Sequence, residues 1–159
     1  SALSNIYKII INHIDRSNSA AIIRFLELNP QIADITILTM HEGAYLPRFM
    51  AQLTNVRRFA VHLAVPWMSE FDRNVVLNGL RGYDCMEYLR LCPLLFLSYT
   101  GGILKLVKTM PRLHHYRSEY SDQIDPDVMA AKDYCRMRKY NHKTYDRTLV
   151  HKLLKGMDM

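Results

Sequence analysis

Apolar and polar positions along this chain fall into a unit that returns. In the stretch 22–37, Ile22, Phe25 and Leu26 form an apolar face at helical spacing. Pro30 forbids continuation of that helix. Ile32, Ile35 and Ile37 then mark a strand, with Ile35 and Ile37 on one face. The arrangement recurs as Leu46, Phe49 and Met50 followed by Val56, Phe59 and Val61. It recurs again as Val76 and Leu80 followed by Met86, Leu89 and Leu91. A last copy has Ile103, Leu106 and Val107 followed by Leu113, Tyr116 and Ser118. In each copy the first helix position precedes the first strand position by ten residues. The copies open at 22, 46, 76 and 103, intervals of 24, 30 and 27 residues. A strand-only copy, Ile6, Ile9 and Ile11, stands 26 residues before Ile32.

Periods in this range, with a strand of two-residue alternation and a following helix, are those of leucine-rich repeats. The expected fold is therefore α/β: a leucine-rich-repeat solenoid with parallel strands on the concave side and helices on the convex side. The first helix is expected from Ser17 to Asn29, with Ser17 or Ser19 as its N-cap. The second carries Leu46, Phe49, Met50 and Leu53, with Pro47 in its first turn. The third copy holds an insertion, 15 residues from Val61 to Val76 against 9 to 12 elsewhere. Ser69 and Asp72 close that insertion in the manner of a capping box. Gly101-Gly102 opens a helix that runs through Met110.

After Glu119 the repeat stops. Residues 121–127 read as a polar loop, and Asp127–Lys139 and Tyr145–Lys155 as two helices. Leu149, Val150, Leu153 and Leu154 give the second an apolar face. The organisation expected is a repeat region over 1–120 and a helical C-terminal cap over 121–159. No polar cap precedes Ile6, so a further segment upstream is expected.

Composition bounds the class. The chain has 159 residues, 49% hydrophobic and 23% charged, which suits one globular domain. It has no run of 18 apolar residues and no basic-then-apolar leader, so the expectation is an intracellular protein, in cytoplasm or nucleus, with no membrane role. Cys85, Cys92 and Cys135 match neither a disulfide framework nor a zinc motif and read as reduced thiols. The formal charge of +6 is concentrated between Lys132 and Lys155, which holds eight basic residues against two acidic ones.

The stretch Phe25-Leu26-Glu27-Leu28-Asn29-Pro30-Gln31-Ile32, with Ile35 and Ile37 after it, resembles the repeats of divergent leucine-rich-repeat proteins of the F-box type, insect versions above all. The resemblance spans about residues 3–120. In that family an F-box lies N-terminal to the repeats, and none is present in this chain. The resemblance implies that such an upstream segment docks onto the adaptor of a cullin–RING ubiquitin ligase while the repeats hold the substrate. The family places Asn or Cys three residues past the last strand leucine. Here those places hold Ile14, Met40, Ala64 and Leu94, so that polar ladder is absent and the convex side is expected to be irregular.

Strand alternates point away from the core and define the default binding face. They are Lys8, Ile10 and Asn12, then Asp34, Thr36 and Leu38, then Arg58, Ala60 and His62. Tyr88, Arg90 and Cys92 follow, then His115, Arg117 and Glu119. Arg58, His62, Tyr88, Arg90, His115 and Arg117 are the candidate partner-binding residues, because Arg and Tyr tend to anchor interfaces. Trp67, in the inserted loop, is a further candidate, against the simpler expectation that it folds back onto its own repeat.

The alternative function is nucleic-acid binding by the basic tail. There Arg136, Arg138, Lys139 and Lys143 alternate with Tyr134, Tyr140 and Tyr145. A solvated basic face on the helical cap accounts for the same residues. A third reading is a scaffold that pairs through the open edge at Ile9 and Ile10. Nothing suggests an enzyme. No catalytic, metal-ligating or cofactor motif occurs, and His114 and His115, adjacent on a strand, are expected to point to opposite faces.

Overall fold

The computed structural model describes residues 5–96, 102–118 and 125–138. Five strands alternate with helices: β1 (Lys8–Ile14), α1 (Ser19–Leu28), β2 (Asp34–Met40), α2 (Leu46–Met50), β3 (Arg58–Ala64), α3 (Glu70–Leu80), β4 (Tyr88–Leu91), α4 (Gly102–Lys108) and β5 (His115–Arg117). A further helix, α5, spans 126–138. The strands form one parallel sheet in the order β1-β2-β3-β4-β5. The protein is thus α/β with an all-parallel sheet.

Each strand's new neighbour is the next strand in sequence. With crossovers of one hand, every connecting helix then falls on the same face. Burial agrees: Ile35, Phe59 and Leu89 are fully buried and Tyr116 nearly so, while Lys8, Ile10, Arg58, His115 and Arg117 are exposed. Among the described strands the order never reverses, so they form no switch-point crevice of the kind that holds nucleotides in doubly wound folds.

Register is constant. Ile9, Ile35, Phe59, Leu89 and Tyr116 form one inward row, and Ile11, Ile37, Val61 and Leu91 a second. At the starts of β1, β2 and β3 one carbonyl accepts two N–H groups from the start of the next strand. Tyr7 accepts from Ala33 and Asp34, Ala33 from Arg57 and Arg58, and Arg57 from Glu87 and Tyr88. Past the strand middle, Ile14, Met40 and Ala64 stand in register, Ile14 and Met40 fully buried. An apolar row therefore occupies the place where leucine-rich repeats of the resembled type carry a polar ladder.

Several local expectations need correction. The α1 N-cap is Asn18, not Ser17 or Ser19, and its side chain makes no capping bond. Asp15 organises that turn instead: its Oδ1 accepts from the Ser17 N–H at 2.8 Å, the Ser17 hydroxyl at 2.6 Å and the Asn18 N–H at 3.1 Å. The hydrogen bonds from Ser17 lead in holding the Asp15 carboxyl below its usual range. The second helix is α-helical only through Met50 and tightens into a 3-10 turn over Ala51–Leu53. Cys92 does not face outward. β4 ends at Leu91, and Cys92 turns into a 3-10 segment and is 3% exposed. Burial pushes its thiol above the usual range. The α4 helix stops at Lys108 rather than Met110.

Other expectations hold. Pro47 lies in the first turn of α2. The Ser69 hydroxyl accepts from the Asp72 N–H at 3.1 Å. The Asp72 carboxylate does not return to its own helix start. It accepts from the Gly43 N–H of the preceding unit at 3.2 Å. The predicted helix at 145–155 lies outside the described residues.

α5 closes the β5 end. Val128, Ala131 and Cys135 are buried, and the Cys135 thiol is pushed up to about 11 by burial. Asp127 caps α4, accepting from the N–H groups of Ile103 at 2.5 Å and Leu104 at 3.1 Å. Gly102 has a φ of +77°, and a Cβ there would stand 2.7 Å from Asp127 Oδ2, so only glycine fits under this cap. Gly79 is held to glycine by packing: its Cβ would meet Met50 Cβ at 2.9 Å, where α3 passes over α2.

Two stability outcomes follow from this packing. Phe59→Ala removes the central ring of the inward row and is expected to lower unfolding free energy by about 3–5 kcal/mol. Asp127→Ala strips the α4 cap and is expected to cost about 1–2 kcal/mol. Urea unfolding followed by circular dichroism checks both, and an unchanged midpoint for Phe59→Ala would contradict its place in the core.

Candidate partner-binding face

The face of the sheet that no described helix covers is built by the same register. Lys8, Asp34, Arg58, Tyr88 and His115 form one outward row, and Ile10, Thr36, Ala60, Arg90 and Arg117 form the next. Five of the six sequence-predicted residues thus stand as direct neighbours in two adjacent rows. His62 follows on β3 and is half-buried.

In the first row the side chains engage one another. The Arg58 Nε lies 3.5 Å from Asp34 Oδ2, and its guanidinium carbon sits 4.4 Å from the centre of the Tyr88 ring. Tyr88 in turn stacks on His115 with ring centres 4.9 Å apart and an interplanar angle of 27°. Tyr88 is therefore held between a cation and an imidazole, which orients a large aromatic side chain before anything binds.

One residue earlier, at the strand starts, Glu87 reaches two partners. Its carboxylate lies 3.7 Å from Arg57 Nε and 3.9 Å from His114 Nε2. These groups, with Tyr7, Lys8, Asp34, Arg58, Tyr88 and His115, line an open groove of about 490 Å³ along the sheet's rim. His114 and His115 both reach this groove, because β5 begins only at His115 and His114 belongs to the turn before it. Arg57 and Glu87 were not singled out from the sequence, and His114 was expected on the face opposite His115 rather than beside it. Their signal was position, each lying one residue before an outward strand residue.

Burial and the adjacent Arg90 guanidinium both hold the His62 imidazole below its ordinary value of 6.5.

Trp67 does not fold back onto its repeat. It is 65% exposed, and Phe71, at the start of α3, is 75% exposed. It lies in the loop beyond the C-terminal end of β3, away from the groove at the strand starts. The basic tail is only partly within the described residues. Arg136 is exposed and lies 3.4 Å from Asp133. Arg138 is turned inward: its guanidinium donates to the Met110 carbonyl and, at 2.7 Å, to the Leu113 carbonyl, and it lies 4.7 Å from the Tyr134 ring centre. Arg138 thus fastens α5 to the turn before β5. Lys139, Lys143 and Glu119 lie outside the described residues.

Among the described residues no three His, Cys, Asp or Glu side chains come together as metal ligands. No helix among them is long and apolar enough to cross a membrane. Comparison with protein-family models and with curated protein sequences finds no match.

His62 makes a pH prediction. Its folded value is depressed, so below pH 6.5 the unfolded chain takes up a proton that the folded chain resists. Its contribution to stability is complete above pH 6.5 and is lost as pH falls toward the folded value. His62→Gln is expected to flatten that part of the acid-side decline, read as urea midpoints between about pH 7 and pH 5. Parallel profiles for variant and parent would refute it.

Proposed function

We propose that this chain is a leucine-rich-repeat solenoid acting as a protein-recognition module, its partner docking on the uncovered, concave face of the sheet. The observation that carries this is the outward face itself. It is a continuous parallel surface with no helix over it among the described residues, bearing Arg58, Tyr88, Arg90, His115 and Arg117 in two adjacent rows. Arg and Tyr anchor interfaces because they combine large contact area with directed polar groups. The Arg58–Tyr88–His115 stack reduces the ordering cost of docking. Repeating βα units use such sheets for extended partners.

We further propose that the module is the substrate-binding repeat region of an F-box-type ubiquitin-ligase receptor. The ten-residue helix-to-strand interval and the Phe25–Ile32 phrase support this reading. Recognition of the substrate would fall to the sheet face, and docking onto the ligase adaptor to a segment upstream.

Thr36→Trp tests both. It places bulk at the middle of the outward face without touching the inward rows. The tagged full-length protein, expressed with whatever its gene encodes upstream of Ser1, and the same protein carrying Thr36→Trp are purified from cells and their partners compared by mass spectrometry. The variant is expected to lose the substrate-class partners and keep a cullin and its adaptor. Identical partner sets would sink the sheet-face reading, and recovery without any cullin would sink the ligase reading.

A further inference from the structure

We infer that β1 is a self-complementary edge: two copies of this chain pair through it as antiparallel strands about a two-fold axis at Ile10, joining their sheets into one. This goes beyond the sheet-face reading and does not depend on it.

The core is unfinished at this end. Among the described residues β1 has a strand neighbour on one side only, β2. Ile9 and Ile11 belong to the two inward rows, yet both are half-buried. At the same register Ile35, Phe59 and Leu89, and Ile37, Val61 and Leu91, are 0% exposed. Ile10 between them is 60% exposed. Edge strands are ordinarily blunted by proline, bulges or charge. β1 has no proline, and its centre is three isoleucines in a row.

The helical layer is open on the same side. In α1, Ile23 and Leu26 face the core. Successive residues turn by about 100°, so Glu27 lies on one flank of that face and Ile22 and Phe25 on the other. Glu27 lines a small hollow with Gln52 and Thr54, just past α2, so its flank faces the second unit. Ile22 and Phe25 therefore lie on the side toward the free end of the stack, half-buried against the core. A lone strand added to β1 would leave them uncovered. The occupant has to bring a strand and a helix together, and a second copy of this unit does.

The order of residues selects the mode of pairing. On either side of Ile10, Ile9 and Ile11 stand at equal distances, then Lys8 and Asn12, then the rings of Tyr7 and His13. An antiparallel pair centred there sets Ile10 against Ile10, Ile9 against Ile11 and Lys8 against Asn12. The isoleucines meet and the two lysines do not, which is the favourable arrangement of cross-strand neighbours. The backbone agrees. The Tyr7 carbonyl points to β2, accepting from Ala33 and Asp34. Carbonyl directions alternate along a strand, so those of Lys8, Ile10 and Asn12 face the free edge, and Ile10 exchanges both its hydrogen bonds with its own copy. An axis normal to the sheet keeps both α1 helices on one side, where Ile22 and Phe25 meet their counterparts. Head-to-tail stacking is disfavoured, because β5 is three residues long and α5 packs at that end. The pairing is isologous and stops at two copies.

The test is sedimentation equilibrium of the chain between about 1 and 100 µM, a range that resolves a micromolar dimer. A monomer–dimer equilibrium is expected. Ile10→Lys sets two like charges against each other at the axis and, at an exposed position, is expected to keep the circular dichroism of the parent and lose the dimer. Register is read by disulfide formation in a Cys85→Ser background. Ile10→Cys is expected to link to its own copy, since opposed residues stand about 5.5 Å apart between Cα atoms. Lys8→Cys and Asn12→Cys are expected to link when mixed, but not each with itself, where four residues of strand, about 14 Å, separate the pair. A monomer throughout overturns the inference. So do species that grow past the dimer, an Ile10→Lys dimer as tight as the parent's, or Lys8→Cys linking to itself. A full-length protein that stays monomeric where the chain pairs also overturns it, and assigns the edge to a unit upstream of Ser1.

Discussion

The inward row Ile9–Ile35–Phe59–Leu89–Tyr116 holds the rest of the chain in place. Five strands contribute one side chain each at the same depth, so each unit completes the burial begun by the unit before it. Slipping one strand by a single residue would send its apolar side chains outward and bring charged ones in. Phe59 against Ile35 and Leu89 makes that cost largest at the centre. Register is therefore fixed by burial, and the outward face inherits it.

Polar contacts reinforce the same neighbour-to-neighbour logic. Asp72 reaches back to Gly43, the Asn55 amide donates to the Pro30 carbonyl at 3.1 Å, and the Gly82 N–H donates to the Thr109 hydroxyl at 2.9 Å. The Val56 N–H donates to the Tyr83 hydroxyl at 3.1 Å, and burial pushes that phenol up to about 12. Asp127 and Arg138 do the same between α5 and the last unit. Each bond spans roughly one repeat. Stability in such a chain resides in interfaces between units as much as in the units themselves.

On the uncovered face the ion pairs have another role. Arg58 with Asp34 and Arg57 with Glu87 are exposed, and exposed pairs contribute little to folding. Their effect is to orient Arg58 over Tyr88 and to occupy the carboxylates near the strand starts.

Much of this was written in the order of residues. The ten-residue interval from helix to strand placed β2 to β5, and the 26-residue offset placed β1, because apolar alternation has to meet the core. Equal offsets from Ile32, Val56, Met86 and Leu113 aligned Asp34, Arg58, Tyr88 and His115 in one row, since parallel units of similar form pair at the same position. The sequence by itself therefore determined the alternation of elements, the inward rows and the two outward rows that run through Arg58 and Arg90. Contacts between residues far apart in the chain were decided only by tertiary structure. Asp127 caps a helix 24 residues earlier, Arg138 leaves the basic tail for two carbonyls, and Cys92 turns inward where β4 stops short. The reason is physical. Periodicity reports which side of an element is dry, whereas the satisfaction of buried N–H and C=O groups at its ends depends on which polar side chain the packing brings within reach.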